Sequence, residues 1–323
     1  MGAIKVAIVG ATGETGSSIV NGLIESPTDF ITALTRPPSL RKQANLALQE
    51  RGVRVVAFDV NGPLEELVKL LEGIDVVIAA MGPSGFADQI PLATASKLAG
   101  VKRFVPCAYA PVSPPKGVVD VRDQKEDILN HIKKLRLPYT VIDIGWWYQG
   151  FILKLPSGRT DYARFPDPIG DNYIPGDGNM PTALTDVSDV GRYVARIIAD
   201  PRTLNRMVFA YGEVITANQV YDLVEKVSGE KIQRNYVAEA QLTALIAATR
   251  EAIAKGATDF PTIVKLLFCQ YHYSWGIRGD NTPEYAEYLG YLSGKELYPD
   301  FKPIRFESFL KDLLEGKARR VYS

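Results

Sequence analysis

A glycine-rich turn follows the first apolar run of the chain. From Gly10 to Gly16, glycine recurs at every third position, and a helical pattern begins directly afterwards. A backbone without side chains can approach a pyrophosphate closely, and the N-terminus of the following helix favours its negative charge. In this strand–turn–helix setting we predict a dinucleotide site contacted by Gly10, Thr12, Gly13, Thr15 and Gly16. A tight turn that binds nothing is the alternative.

The end of the second apolar run indicates which dinucleotide would bind. An NAD site places Asp or Glu about 20 residues beyond the glycines, to hold the ribose 2′-hydroxyl. This chain has Arg36 at that distance, and Arg41 follows shortly after. Guanidinium groups suit the 2′-phosphate of NADP(H), so we expect NADPH/NADP+ as the cofactor. A solvated arginine at a strand end would give the same pattern.

Besides Lys125, which is described below and is also expected to contact the cofactor, three further residues are expected to lie near it. Asp59 follows the third apolar run, where its carboxylate can accept a hydrogen bond from the adenine amino group or cap the next turn. Met81 and Cys107 follow the fourth and fifth runs, and Cys107 is expected near the nicotinamide.

One lysine interrupts the apolar face of a predicted helix. Over residues 120–136, Lys125 lies in line with Ile128 and Ile132 on the inward side, and Arg122 precedes it by one turn. Buried lysines are rare unless they are paired or functional. Desolvation and a neighbouring cation both favour the neutral amine, which suits acid/base chemistry near neutral pH. We predict that Lys125 is catalytic with Arg122 beside it; a lysine whose stem covers the sheet edge is the alternative.

Alternating strands and helices must position these residues. The apolar runs predict strands over residues 4–9, 31–36, 53–58, 75–80, 103–106 and 139–144, with helices over 15–25, 40–51, 64–72, 86–99 and 120–135. Their alternation indicates an α/β fold with a doubly wound parallel sheet of the Rossmann type. After an irregular stretch rich in Gly, Pro and aromatic residues, further elements are predicted over 188–199, 207–210, 218–228, 231–236, 239–255 and 262–273. We expect a nucleotide-binding domain over 1–145 and a smaller, interleaved α/β substrate-binding part over 146–323.

Composition excludes several classes of protein. The 323 residues carry 37 Lys+Arg against 37 Asp+Glu, and zero net charge argues against a nucleic-acid-binding protein. No apolar run approaches the roughly 20 residues needed to span a bilayer, and the start lacks a signal-peptide pattern. Two distant cysteines form no disulfide framework, and no Cys/His cluster has metal-ligand spacing. We expect a cytoplasmic protein without metal, as a monomer or homodimer.

Several strings along nearly the whole chain point to one family. They are GATGETG, LTRP, Ala87-Asp88-Gln89, VKRFVP, Lys125 placed ahead of Pro138-Tyr139-Thr140, the run 200–205, Gly279-Asp280 and ELYPD at 296–300. With these motifs the chain resembles the NmrA-like, isoflavone-reductase-like branch of the atypical short-chain dehydrogenases. The resemblance implies an NADPH-dependent reductase of aromatic or heteroaromatic small molecules, with Lys125 as acid/base.

The chain departs from the plant members of that family where substrate would lie. Cys107-Ala108-Tyr109 stands in place of Ser-Glu-Phe, and Gly145-Trp146-Trp147-Tyr148 replaces small and amide residues. Tyr109, Trp146, Trp147 and Tyr148 are therefore candidate substrate contacts, although these aromatic residues could equally form core. Gln270 and His272 are further candidates, because some family members place a pocket histidine near this position; a packed core histidine is the alternative.

Three functions remain open at this stage. The leading one is an NADPH-dependent reductase of a C=C, C=N or C=O bond next to an aromatic system, in secondary metabolism. A second keeps the cofactor without net redox, as an acid–base cyclase that closes a ring on an iminium, of the Pictet–Spengler type. A third is an NmrA-like redox sensor that binds NADP(H) without turnover, against which Lys125 counts.

Overall fold

The computed structural model describes residues 4–26, 30–165 and 168–321. The strands in these ranges are β1 (Lys5–Val9), β2 (Phe30–Thr35), β3 (Arg54–Ala57), β4 (Val76–Ala79), β5 (Arg103–Val105), β6 (Thr140–Asp143), β7 (Trp146–Trp147), β8 (Tyr173–Pro175), β9 (Pro181–Thr185), β10 (Arg206–Phe209), β11 (Glu213–Thr216), β12 (Asn235–Val237) and β13 (Leu292–Ser293). The α-helices are α1 (Glu14–Ile24), α2 (Gln43–Glu50), α3 (Leu64–Leu71), α4 (Gln89–Leu98), α5 (Asp120–Lys134), α6 (Val187–Ala199), α7 (Ala217–Ser228), α8 (Glu239–Ala254), α9 (Phe260–His272), α10 (Pro283–Tyr288), α11 (Gly294–Leu297) and α12 (Phe306–Leu314).

The chain divides into two compact units that alternate along the sequence. The first unit comprises Met1–Tyr109, Gln124–Asp143 and Val187–Ala210; the second comprises Ala110–Asp123, Ile144–Asp186 and Tyr211–Ser323. The helix α5 is shared, with its first turn in the second unit and the rest in the first. The division at residue 145 into a nucleotide-binding domain and a substrate-binding part stays a prediction.

The first unit is built on a parallel sheet. Its five strands run in the order β3-β2-β1-β4-β5, and a parallel bridge between Phe104 and Tyr139 continues the sheet to β6, which pairs in parallel with β10. Strand order reverses at β1, because β2 and β3 extend the sheet one way and β4 and β5 the other. This strand order is that of a Rossmann-type sheet, in which right-handed crossovers place helices on both faces. This confirms the predicted fold class.

Two glycines let the helices α1 and α6 of this unit pack closely. A Cβ added to Gly191 would lie 1.7 Å from the carbonyl oxygen of Ser18, and one added to Gly22 would lie 2.3 Å from the backbone of Gly191. The Ser18 hydroxyl accepts a hydrogen bond from Gly191 N at 2.9 Å. The two helices therefore touch through backbone, which no larger residue at 191 would allow.

The second unit holds two small sheets and most of the later helices. The strand β9 pairs antiparallel with β11 and parallel with β7, and β8 pairs in parallel with β12. Its core is rich in aromatic residues, with Tyr148, Trp275 and Phe306 almost wholly buried. No α-helix of the described residues is both long and apolar enough to cross a membrane.

Candidate active site

The glycine turn has the shape that a dinucleotide requires. Gly10 has φ +85° and Gly16 approaches it so closely that an added Cβ would lie 2.0 Å from the Gly10 oxygen, so packing alone demands glycine at both positions. A Cβ on Gly13 would meet only that same oxygen, at an ordinary 3.5 Å. Internal packing therefore does not explain Gly13, whereas the predicted close approach of a pyrophosphate would.

The helix α1 begins directly at this turn without a side-chain cap. Gly13 is its N-cap residue, and no side-chain capping hydrogen bond is found at this residue in the described part of the chain. Backbone N–H groups at a helix N-terminus suit an anion, which fits a phosphate beside Gly13. Thr12 is exposed and Thr15 is half-buried next to the turn.

Two exposed arginines lie in the segment that follows β2. Arg36 and Arg41 are both exposed, and neither pairs with a carboxylate within the described residues. Their guanidinium groups thus suit a 2′-phosphate. Asp59 is also exposed, and its Oδ1 accepts a hydrogen bond from Asn61 N at 3.0 Å. This is the turn-capping role that the sequence left open, so its contact with adenine stays a prediction.

The parallel strands bring the predicted cofactor residues to one sheet edge. Because β1, β2, β4 and β5 run in the same direction, the residues after their carboxyl ends line up along that edge. Gly10, Arg36, Met81 and Cys107 all occupy such positions, on either side of the point where strand order reverses.

Cys107 is held tightly at the end of β5. Its backbone N–H donates to Gln89 Oε1 at 2.8 Å, and its Sγ lies 3.1 Å from the carbonyl oxygen of the half-buried Met81. Burial raises the pKa of the thiol, and the positive charge of Lys125, which lowers that pKa, offsets only part of the effect. A thiol in these surroundings is not an activated nucleophile.

Lys125 lies at the same edge. Its Nζ donates to the carbonyl oxygen of Ala108 at 2.6 Å and sits 5.3 Å from the centre of the Phe86 ring. The side chain is half-buried, as its place among apolar residues of α5 indicated. The structure therefore brings Lys125 to the same edge as the glycine turn, and its catalytic role stays a prediction.

Arg122 has a different immediate environment. It is 4% exposed, and its guanidinium donates to the hydroxyl of Tyr291 at 2.9 Å within the second unit. This contact gives Arg122 a structural task that the sequence did not indicate. A catalytic role beside Lys125 stays a prediction.

Tyr109 combines two unusual properties. Its backbone has φ +41°, a conformation that aromatic residues rarely adopt. Its ring is 5% exposed, and its hydroxyl has no hydrogen-bond partner within the described residues.

An aromatic pocket lies within the second unit. Its walls come from β8, α9 and the segments that precede and follow them, and they comprise Gln149–Leu153, Arg164, Phe165, Asn172, Tyr173, Phe268, His272 and Trp275. His272 donates from Nδ1 to the carbonyl oxygen of Phe268 at 2.7 Å, which leaves Nε2 as an acceptor. Burial lowers the pKa of His272 to about 3, so its ring is neutral at neutral pH.

The other candidate substrate residues lie in or beside the core of this unit. Trp146 packs edge-on against Phe268 and His272 and is 9% exposed, and the adjacent Trp147 is half-buried. Tyr148 is fully buried, with its hydroxyl 2.9 Å from Glu213 Oε1, which is a core environment that gives no support to a substrate contact.

Gln270 is buried at the N-terminus of α5. Its Oε1 accepts a hydrogen bond from Asp120 N at 3.1 Å, so the side chain caps that helix rather than lining the aromatic pocket. Substrate contacts by Gln270, as by Trp146 and Trp147, stay predictions.

Comparison with known proteins decides the family. A sequence model described as the NmrA-like family matches residues 3–310. This chain belongs to the NmrA-like family. The resemblance drawn from the motifs is thereby confirmed.

Relatives of this NmrA-like chain include enzymes of fungi and plants. It is 50% identical to asnovolin J 5′,6′-dehydrogenase of Aspergillus novofumigatus, over 97% of the chain and 96% of that protein. It is 31% identical to a probable pinoresinol-lariciresinol reductase of Arabidopsis thaliana, over 96% and 97% of the two chains.

Solved structures agree with the fold of this NmrA-like chain. A crystal structure of isoflavone reductase has a TM-score of 0.79 at 28% identity and covers 96% of the chain and 99% of its own. Leucoanthocyanidin reductase of Vitis vinifera, solved with NADPH, has a TM-score of 0.79 at 21% identity with the same coverage. The latter likeness is one of fold.

Sequence reasoning missed several partners of the predicted residues in this NmrA-like chain. Phe86, Gln89 and Tyr291 contact Lys125, Cys107 and Arg122 respectively. Gln89 stood in a motif used for the resemblance, which was the signal available, but the motif gave it no role. Phe86 and Tyr291 carry no local pattern that would single them out.

Proposed function

We propose that this chain is an NADP(H)-dependent oxidoreductase that reduces a C=C, C=N or C=O bond next to an aromatic system, with Lys125 as the proton donor. The observation that carries the proposal is the placement of Lys125 at the sheet edge that also bears the glycine turn and Arg36. The relatives of the chain support the proposal, because they include a dehydrogenase and a probable reductase.

The residues of the first unit fit NADP(H). Gly10, Gly13 and Gly16 would hold the pyrophosphate at the start of α1, and Arg36 and Arg41 would hold the 2′-phosphate. When bound, NADPH supplies the hydride. The chain supplies the proton, so that hydride and proton together saturate the double bond.

Lys125 is positioned to transfer that proton. The Ala108 carbonyl accepts from Nζ, which fixes its direction and favours the protonated ammonium, in contrast to the neutral amine expected from desolvation. After a proton leaves Nζ, the neutral amine can take another from solvent. The ring of Phe86 at 5.3 Å stabilises the cationic form as well.

The same groups can also run the reaction in reverse. The 50% identical fungal relative is named a dehydrogenase, which favours oxidation by NADP+ as a second candidate. In that direction Lys125 accepts the proton that leaves with the hydride. A non-redox cyclase and a sensor without turnover stay predictions, and no contact among the described residues favours either one.

We further propose that the aromatic pocket of the second unit binds an aromatic small molecule. Phe165, Phe268 and Trp275 offer apolar ring faces, and the neutral His272 offers an acceptor nitrogen to a hydroxyl group. The pocket therefore suits a flat, phenol-like or hydroxylated ring.

A test of the reaction follows from Lys125. With a panel of aromatic enones, imines and iminium ions, wild-type protein should oxidise NADPH, and with the reduced compounds it should reduce NADP+. Lys125→Met should lower both rates by about 10²- to 10⁴-fold, while the Kd of NADPH changes little. Lys134→Met, an exposed lysine of the same helix, is the matched control. Wild-type rates in Lys125→Met would refute the catalytic role of Lys125.

A further inference from the structure

Tyr109 is held in a strained backbone conformation directly after the residue that positions Lys125. Its φ is +41°, and its N–H donates to the carbonyl oxygen of Ile142 at 2.8 Å, which fixes the segment to β6. The neighbouring Ala108 directs its carbonyl oxygen to Lys125 Nζ. Non-glycine residues keep such conformations where the surroundings impose them, and these cluster at functional sites.

The hydroxyl of Tyr109 is costly in its present environment. It is shielded from solvent and has no hydrogen-bond partner within the described residues. A buried polar group without a partner costs about 1–3 kcal/mol. Phenylalanine would fill the same space at the same φ without that cost, so packing does not explain the hydroxyl.

The position of Tyr109 indicates what its partner is. Arg36 follows β2, on one side of the glycine turn, so the nicotinamide half of a bound cofactor must extend the other way, past β4 to the end of β5. Cys107 and Tyr109 lie at that end. Burial raises the pKa of Tyr109 well above its ordinary value, so the hydroxyl is a donor at neutral pH and requires an acceptor.

We infer that the Tyr109 hydroxyl binds the nicotinamide end of NADP(H), by donating a hydrogen bond to the carboxamide oxygen. The inference rests on the proposed function, because it requires the cofactor. Atoms that now cover the hydroxyl must shift when the carboxamide arrives. The unpartnered Tyr109 hydroxyl thus lowers the stability of the free protein, and the new hydrogen bond removes that cost when the cofactor binds.

Calorimetric titration of the full chain with two ligands tests this assignment. NADP+ carries the carboxamide, and 2′-phospho-ADP-ribose has the same adenosine and pyrophosphate without nicotinamide. Tyr109→Phe should raise the Kd of NADP+ by about 3- to 10-fold, as expected for one neutral hydrogen bond, and leave the Kd of 2′-phospho-ADP-ribose unchanged. Equal weakening of both ligands, or of neither, would overturn the inference.

Thermal unfolding of the free protein gives a second, independent readout. Tyr109→Phe should keep or raise the Tm, because it removes an unpartnered buried hydroxyl. Tyr148→Phe is the matched control, since its buried hydroxyl lies 2.9 Å from Glu213 Oε1 and 3.0 Å from the Ile304 oxygen, and its Tm should fall. A fall in Tm for Tyr109→Phe would show a structural hydroxyl and overturn the inference.

The two proposals fail in different ways. If wild-type protein binds neither ligand, the NADP(H) site itself is wrong. If it binds both and Tyr109→Phe binds them equally well, the cofactor site stands and only the role of Tyr109 is wrong.

Discussion

At the scale of single residues, the neutral state of His272 makes stability depend on pH. Its pKa is about 3 in the folded protein against 6.5 in an unfolded chain, because burial disfavours the imidazolium. Below pH 6.5 the unfolded chain therefore binds a proton that the folded protein does not. Stability falls as the pH decreases from 6.5 towards 3, by about 2–3 kcal/mol at pH 4.5 from this group alone.

The substitution His272→Phe isolates that contribution. It keeps an aromatic ring against Trp146 and Trp275, and it removes the titrating group. Urea unfolding at pH 7 and pH 4.5 should show a smaller loss of stability for His272→Phe than for wild type, since the carboxylates contribute equally to both. Parallel losses would mean that His272 is protonated when folded.

At the scale of helices and strands, the contact between α1 and α6 depends on glycine. An alanine at 191 would place its Cβ 1.7 Å from the Ser18 oxygen, so the two helices must separate. Gly191→Ala should destabilise the protein by about 3 kcal/mol, as overpacking does. Gly82→Ala is the control, because nothing lies within 4 Å of its added Cβ and its φ is −71°. Similar unfolding midpoints for the two variants would contradict the prediction.

The strands of the first unit were the most predictable elements. All six expected over residues 4–144 begin and end within one residue of the observed strands, because buried parallel strands are short apolar runs bounded by turns. The helices α2 and α4 begin three residues later than expected, after short turns at Pro37–Ser39 and Pro83–Gly85. Local sequence patterns thus predict the presence of a helix or strand well, but predict the residue at which a helix begins less well.

Elements with weak local patterns escaped prediction. The strands β9 and β11 lie in or after the irregular stretch, and the strand expected over 231–236 is observed over Asn235–Val237 instead. Sequence also could not indicate that β10 joins β6 in the first unit, since that pairing spans more than 60 residues of chain.

The same limit applies to the candidate site. Residue type and spacing are enough to predict the glycine turn, Arg36 and Lys125 as site residues. Their partners do not: Arg103, for example, lies in a motif of the resemblance, but its bonds to the carbonyl oxygens of Ile197 and Asp200 appear only in the fold. Those bonds hold the end of α6 and join two motifs that are distant along the chain.

At the scale of the whole molecule, we expect the preference between NADP+ and NAD+ to come from local charge. The net charge is zero, so long-range attraction does not favour a dinucleotide with an extra phosphate. We therefore predict that Arg36 and Arg41 supply the preference for NADP+ over NAD+, through contacts with the 2′-phosphate. Added salt should therefore weaken NADP+ binding more than NAD+ binding.

This preference should be visible as a difference in global stability. A ligand that binds only the folded chain stabilises it by about 2.7 kcal/mol at 100 times its Kd, which raises the Tm by about 4 °C. At equal concentrations, NADP+ should raise the Tm of wild type more than NAD+ does. The double variant Arg36→Ala, Arg41→Ala should lose that difference and keep its own Tm, because both side chains are exposed and pair with no carboxylate in the described ranges.

The control variant is Lys134→Met, which removes an exposed cation far along the sequence from the loop after β2 and should keep the difference. Equal shifts by NADP+ and NAD+ in wild type would place the 2′-phosphate away from Arg36 and Arg41, because a guanidinium in contact with that phosphate cannot treat the two dinucleotides alike.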